Sequence, residues 1–333
     1  MNKLICILLS LQMCGHAAIY AVSQRCGHWC RKINPWLVLR EWVWYHIPYR
    51  FLCAALTQGD IYWARLTRGG RSIERMATSN KQLVLPYAPP SPKDASCHDL
   101  IHYRLWMQKK YLDRSLYYHN KNLIHELTVA ATQLQQHIDA ITKTGHPVIL
   151  APLHTISDVV VGTLCSYLNT GQVLIISNHE NESIGMDEVS KLNAHNMQLL
   201  NPQKIGVSEL KRIIKQVKQH QSLFVIYPDV TPEITARLSR KAMRTFDCEL
   251  FARKARLHSG LADLAKMTKA TVLFFCLVEK QRTLAVDVVG TLPWHEILSA
   301  SPKLIEQTIQ AHADQWLLWH SPSLFYFNSA DRL

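Results

Sequence analysis

Pro147-Val148-Ile149-Leu150-Ala151-Pro152-Leu153-His154-Thr155-Ile156-Ser157-Asp158 is the stretch on which the fold turns. From Pro147 to Leu153 it is a continuous apolar run, without the alternation of a strand that has one face in water. Such a run reads as a strand buried on both faces. It follows Thr144-Gly145, which closes a helical stretch, and it delivers a histidine and an aspartate directly after its last apolar residue.

Working outward, the same text recurs. Val173–Ser177, Leu223–Tyr227 and Thr271–Val278 are further buried strand candidates, the second ending at Pro228-Asp229. Thr283–Val289 alternates and reads as a partner strand. Ser208–His220 has helical periodicity, with Leu210, Ile213, Ile214 and Val217 on one face and lysines on the other. Leu257–Lys269 and Leu304–Trp319 are predicted helices, and Asp99–Thr142 a long helical stretch broken near Asn120. Tyr87–Ala95, with Pro89, Pro90 and Pro92, reads as a linker. Buried strands alternating with helices predict an α/β fold with a central, mostly parallel sheet flanked by helices. The chain divides into an N-terminal segment, residues 1–90, and an α/β domain, residues 97–333. In such sheets ligands bind at the carboxyl ends of the strands, where His154 and Asp158 fall.

With 333 residues and 48% apolar content the chain can bury a sizeable core. The formal charge of +12 suits anionic partners such as lipid headgroups, phosphates or an acidic protein. No zinc-finger spacing, RNP-like motif or Arg-rich arm points to nucleic acid. The nine cysteines are odd in number and irregularly spaced, which argues against a secreted disulfide framework and for a reduced, cytoplasm-facing body. Cys53, Cys165 and Cys276 lie in apolar runs and read as small buried hydrophobes. Cys26 and Cys30 flank His28, but a second ligand pair is missing, and no metal is expected.

Leu4–Val22 is the most hydrophobic segment near the start, diluted by Gln12, Gly15 and His16 and followed by Arg25, Arg31, Lys32 and Arg40. It reads as a membrane anchor or interfacial helix with the following body on the cytoplasmic side. The competing reading is a cleaved signal peptide, with Lys3 ahead and Ala17-Ala18 near its end. Between Pro35 and Gly59, Trp36, Trp42, Trp44, Tyr45 and Tyr49 are interleaved with Arg40 and Arg50, a composition suited to the headgroup zone. The alternative is an aromatic-rich helix packed on the domain.

His154 and Asp158 are the candidate catalytic pair. If a helix begins here, residues four apart share a face. A carboxylate beside an imidazole fixes its tautomer and stabilises the imidazolium formed when it takes a proton. Such a base assists attack of a hydroxyl or amine on a thioester, typically by ~10²–10⁴ in rate. Ser157-Asp158 can also be read as a helix cap. His179, His195 and His258 are weaker candidates, and His320 reads as part of the closing helix.

In order along the chain, these motifs resemble the lipid A late acyltransferases (lauroyl and myristoyl transferases) of the lysophospholipid acyltransferase superfamily. The resemblance rests on the apolar N-terminus with its Trp-rich sequel, the strand ending in His154, Tyr227-Pro228-Asp229, the stretch Ser259-Gly260-Leu261-Ala262 through Thr268-Lys269-Ala270, and the close Asp314-Gln315-Trp316-Leu317-Leu318-Trp319-His320. It implies a glycerol-phosphate-acyltransferase-like fold and an enzyme at the cytoplasmic face of a bacterial inner membrane. It further implies acyl transfer from an acidic acyl carrier protein or coenzyme A thioester to a lipid A-like acceptor, with no cofactor. It makes Asp229 a third site residue beside His154 and Asp158. Arg253, Arg256 and Lys204 are the candidate substrate-binding cations of this chain, where the resemblance supplies none. The family spaces His and acid by four residues. Here three intervene and Val159 stands at the ungapped position, leaving Glu180 or Glu182 as other carboxylates. The family arginine has no counterpart between Asp158 and Glu209, where Lys191 and Lys204 are the available cations. These departures open the reading to another acyl group, even an aminoacyl group. The rivals are a soluble His-x-x-x-Asp condensation-type acyltransferase, although those families carry Gly where Val159 stands, and a non-catalytic membrane assembly protein on a decayed transferase fold.

Overall fold

The computed structural model describes residues 35–67, 70–85, 100–177, 196–201, 204–232, 235 and 243–321. Three helices come first, α1 (Pro35–His46), α2 (Tyr49–Thr67) and α3 (Arg71–Val84), followed by α4 (Ile101–Tyr117) and α5 (Lys121–Thr142). Then come β1 (Val148–Pro152), α6 (Asp158–Ser166), β2 (Gln172–Ile176), β3 (Met197–Leu200), α7 (Val207–Lys218) and β4 (Ser222–Val225). The hairpin β5 (Thr245–Leu250) and β6 (Arg253–His258) leads to α8 (Gly260–Thr268), β7 (Thr271–Lys280), β8 (Thr283–Pro293), α9 (Ile297–Ala311) and a final 3-10 turn, Leu317–His320.

Six strands form one sheet in the order β3-β2-β4-β1-β7-β8. All neighbours run parallel except β8, which pairs antiparallel with β7 at the edge. The predicted α/β class with a mostly parallel sheet is therefore observed. Strand alternation divides the core into two layers. Val148 and Leu150 of β1, with Leu273 and Phe275 of β7, face α4, α5 and α6. Ile149 and Ala151, with Phe224, Val272 and Phe274, face α7, α8 and α9. The chain steps outward from β1 to β2 and β3, then back to β4 between β2 and β1. That reversal places α6 and α7 on opposite faces, as right-handed crossovers require. Each fully buried phenylalanine contributes about 1.5–3 kcal/mol of apolar transfer.

The break near Asn120 has a specific cause. Its buried side chain caps α5, with Oδ1 accepting from Leu123 N at 3.3 Å, while Nδ2 donates to Trp44 O at 2.6 Å and Ile47 O at 2.8 Å. One residue thus starts α5 and fastens the end of α1 to it. The other end of α4 is set by Glu74, a buried carboxylate that accepts from His102 N and Tyr103 N at 2.8 and 3.0 Å. Free N–H groups at a helix start favour a negative charge there.

The aromatic segment divides between its two readings. Trp44 and Tyr49 are buried in the core, whereas Trp36, Trp42 and Tyr45 are exposed. Arg50 is engaged by Glu126 at 2.6 Å and Glu279 at 2.7 Å and does not reach out as an interfacial cation. α1, α2 and α3 contribute residues to the same two core layers as the sheet. Among the described residues no helix is long and apolar enough to cross a membrane. Leu4–Val22, Cys26, His28, Cys30 and Tyr87–Ala95 lie outside the described residues.

Two expectations are corrected. The helix predicted over Leu304–Trp319 is instead Ile297–Ala311, with Pro302 buried inside it. Leu257 and His258 end a strand, and the helix after them starts at Gly260. Finally, β3 and the β5–β6 hairpin have no counterpart in the sequence reading, because both are short and only half buried.

Replacing Asn120 with Ala strands two buried carbonyls and removes a cap. We expect a loss of about 2–4 kcal/mol in urea denaturation; a loss below about 1 kcal/mol would show the carbonyls find other partners.

Candidate active site

β1 ends in the middle of the sheet, and the loop after it is held from three directions. Leu153 N donates to Phe275 O at 3.0 Å and Thr155 Oγ1 to Leu277 O at 2.6 Å, tying the loop to β7. Ile156 N donates to Gln315 O at 3.2 Å and Leu317 N to His154 O at 2.8 Å, so the loop also pairs with the C-terminal turn. The third tie is Asp229, past the end of β4. Ile156 sits at φ 54°, a left-handed conformation unfavourable for a β-branched side chain. These ties hold a local strain of about 1–3 kcal/mol in place.

Asp229 is wholly buried. Its Oδ2 accepts from His154 N at 2.9 Å and from Trp316 Nε1 at 2.8 Å, and its Oδ1 lies 2.8 Å from His154 Nδ1. An ionised carboxylate only accepts, so the contact assigns the proton to Nδ1 and leaves the Nε2 lone pair to take another. Burial pulls the His154 pKa down. The charge and hydrogen bond of Asp229 push it up by more, and the result is raised above the ordinary value. The Tyr227 ring lies 4.4 Å from the imidazole, and its hydroxyl donates to Asp158 O at 2.8 Å. Burial drives the Tyr227 pKa far up, so it stays a donor.

The sequence-derived pairing of His154 with Asp158 is corrected. Asp158 opens α6 behind the Ser157 cap, whose Oγ accepts from Val160 N at 3.2 Å, and the carboxylate partner of the imidazole is Asp229. Asp158 faces Lys109 Nζ of α4 at 2.8 Å, and Lys109 also holds Asp113 at 2.7 Å. Ser157 Oγ donates to Asp113 Oδ1. One lysine cannot neutralise two carboxylates equally. Burial raises both, but Lys109 and His154 bring Asp158 below its ordinary value, while burial keeps Asp113 above it. Lys109 itself is lowered by burial and raised more by its two acids, and it stays charged. The site therefore carries a His–Asp pair and, beside it, a lysine between unlike carboxylates.

Sequence reasoning missed Lys109 and Asp113. Their i,i+4 spacing was a signal, but such pairs usually decorate a solvated helix face. It quoted Trp316 only as part of a closing motif; its role needs the fold, which brings it to a residue 87 positions away.

The candidate binding cations do not join this cluster. Arg256 binds Asp247 across the hairpin at 2.7 Å, and Lys254 stands opposite Glu249 in register, so the basic text of β6 is largely balanced by β5. Arg253 is exposed at the start of β6, and Lys204 is exposed ahead of α7. His258 Nε2 lies 2.9 Å from Thr235 Oγ1, and burial lowers its pKa. His320 belongs to the 3-10 turn, its Nδ1 2.9 Å from Leu317 O. His179, Glu180, Glu182, Lys191 and His195 lie outside the described residues. No protein-family model matches the chain, and no curated protein matches it significantly.

Asp229→Asn keeps His154 buried but removes the charge beside it. The His154 pKa should fall from above ~6.5 to below it in an NMR histidine titration; an unchanged value would mean another group sets it. Since the folded pKa is raised, the stabilisation from this ion pair is complete below ~6.5 and fades as pH rises through the folded value. The stability gap between wild type and Asp229→Asn should narrow over that window.

Proposed function

We propose that this protein is an acyltransferase. It moves an acyl, or aminoacyl, group from a carrier-protein or coenzyme A thioester to a hydroxyl or amine of a lipid acceptor. The observation that carries the reading is the His154–Asp229 pair at the carboxyl end of the central strands, with Nδ1 engaged and Nε2 left as base. Nε2 takes the proton of the acceptor as its oxygen or nitrogen bonds to the thioester carbon. The C–S bond then breaks, and the departing thiolate recovers the proton from the imidazolium. No covalent enzyme intermediate is needed. Asp229 holds the imidazole in one tautomer and offsets the charge it gains. Lys109 adds a half-buried positive charge to a site whose sequence from Asp158 to Glu209 lacks arginine.

A lipid acceptor is favoured by the outer faces of the first helices. α1 leaves Trp36, Leu39 and Trp42 exposed at three-residue spacing, and α2 leaves Tyr62, Trp63 and Leu66 exposed. Aromatic and aliphatic exposure on both helices, on a chain of formal charge +12, suits an anionic membrane surface. This reading places the body at the cytoplasmic face of a bacterial inner membrane, where acidic carrier proteins and coenzyme A thioesters are available.

Mass spectrometry of total lipid and lipopolysaccharide from cells expressing wild type should show an acyl mass gain, absent with His154→Ala. Asp229→Asn should cut the rate by ~10²–10⁴, and by more than Asp158→Asn. No gain with any variant would leave lipid acylation without support. Because His154 must be neutral to act, the rate should climb with pH through a value above ~6.5. Separately, replacing Trp36, Trp42 and Trp63 together with Ala should release the protein from anionic vesicles without unfolding it; retained binding would place the membrane contact elsewhere.

A further inference from the structure

On the opposite side of β7 from the catalytic loop ties, three unlike donors converge. Cys276 of β7 and Asp287 of β8 are cross-strand partners in register, and His312 follows the end of α9. Cys276 Sγ, an Asp287 carboxylate oxygen and a His312 ring nitrogen all lie within 4.8 Å of one another. His312 Nε2 is 2.8 Å from Asp287 Oδ2, while Asp287 Oδ1 binds Lys280 Nζ at 2.8 Å. The cysteine is fully buried, but the side chains of His312 and Asp287 are 13% and 35% exposed, which gives an ion a way in.

We propose that Cys276, Asp287 and His312 form a zinc site. Thiolate, imidazole and carboxylate in one cluster are the donor set of a borderline-soft divalent ion, and three protein ligands leave a fourth position for water. Tetrahedral coordination at the usual bond lengths puts nitrogen and oxygen about 3.3 Å apart and sulfur about 3.6 Å from each. The His312–Asp287 contact must open by about half an ångström and the sulfur close by up to about 1.2 Å. Both are side-chain adjustments. Asp287 binds through Oδ2 and keeps Lys280 on Oδ1, the kind of outer contact that orients a ligand. Burial and Asp287 push the Cys276 thiol up to about 12, so binding expels its proton to solvent and leaves the thiolate on the metal. The neutral sum of zinc, thiolate and carboxylate suits a half-buried position.

The ion would join the β7–β8 hairpin to the segment after α9. His312 O accepts from Gln315 N and Trp316 N at 2.9 and 3.0 Å, so His312 starts the turn that carries Trp316 to Asp229. The metal site and the catalytic carboxylate are thus linked through four residues of chain, without sharing a ligand.

The test titrates the chelator-treated full-length protein with cobalt(II), reading the thiolate-to-cobalt charge-transfer band, and with zinc by calorimetry. Because Cys26, His28 and Cys30 can also capture zinc, a Cys26→Ser/Cys30→Ser variant serves as background. In that background the band and one zinc equivalent should remain. Adding Cys276→Ser should abolish the band, and His312→Gln or Asp287→Asn should weaken zinc by at least the ~10–100-fold that loss of an outer contact costs. Should Cys276→Ser fail to fold, the two partly exposed positions decide the matter by the same zinc affinity. A band missing from the background variant, or zinc affinity indifferent to His312 and Asp287, overturns the site. Neither readout depends on acyl transfer.

Discussion

One carboxylate with no access to water organises the centre of this protein. Asp229 accepts three hydrogen bonds, from the backbone and ring of His154 and from the indole of Trp316. A buried charge is tolerated only when so surrounded, because an unpaired one costs several kcal/mol. The three donors come from after β1 and from after α9, while the acceptor comes from after β4. Satisfying one charge therefore fixes how three distant parts of the chain meet. The same bonds that make Asp229 affordable also decide the tautomer of His154, so stability and chemistry rest on one constraint.

The sheet could be read from the sequence because a strand buried on both faces leaves an unmistakable record. Val148–Pro152 has no choice but to be apolar throughout, and β2, β4 and β7 repeat that record. Helices with a strong two-faced pattern, such as Val207–Lys218, were legible for the same reason. The β5–β6 hairpin was not. Its β6 strand reads Arg-Lys-Ala-Arg-Leu-His, and a run of charges looks like a solvated loop until Asp247 and Glu249 are set across from it. Pro302 lies inside α9, where a proline ordinarily breaks a helix, so the sequence carries little sign that the helix extends back to Ile297.

The site was legible in its members more than in its wiring. His154 and Asp229 were both in view, each at the end of a predicted strand. What could not be read was which acid served the imidazole, because proximity along the chain favoured Asp158. A helix start decided otherwise: Ser157 caps α6, Asp158 turns to the α4 side, and Lys109 receives it. Lys109 lay unnoticed because its partner is 49 positions away. The altered histidine-to-acid spacing therefore leaves His154 with a carboxylate partner all the same. The acid that the imidazole uses is one the local motif does not contain.

The interlock between the loop after β1 and residues Gln315 to Leu317 has a consequence for the life of the chain during synthesis. A nascent polypeptide still lacking these residues can pair β1, β4 and β7, yet has no indole for Asp229 and no partner strand for Thr155. It holds a scaffold whose loop at Ile156 has no reason to stay in its strained conformation. These contacts form late, when the segment that follows α9 leaves the ribosome and docks. The gap between scaffold and finished site is spanned by contacts of high sequence separation, which are the slowest to form. The loop that carries His154 is therefore set only after every strand of the six-stranded sheet has been made.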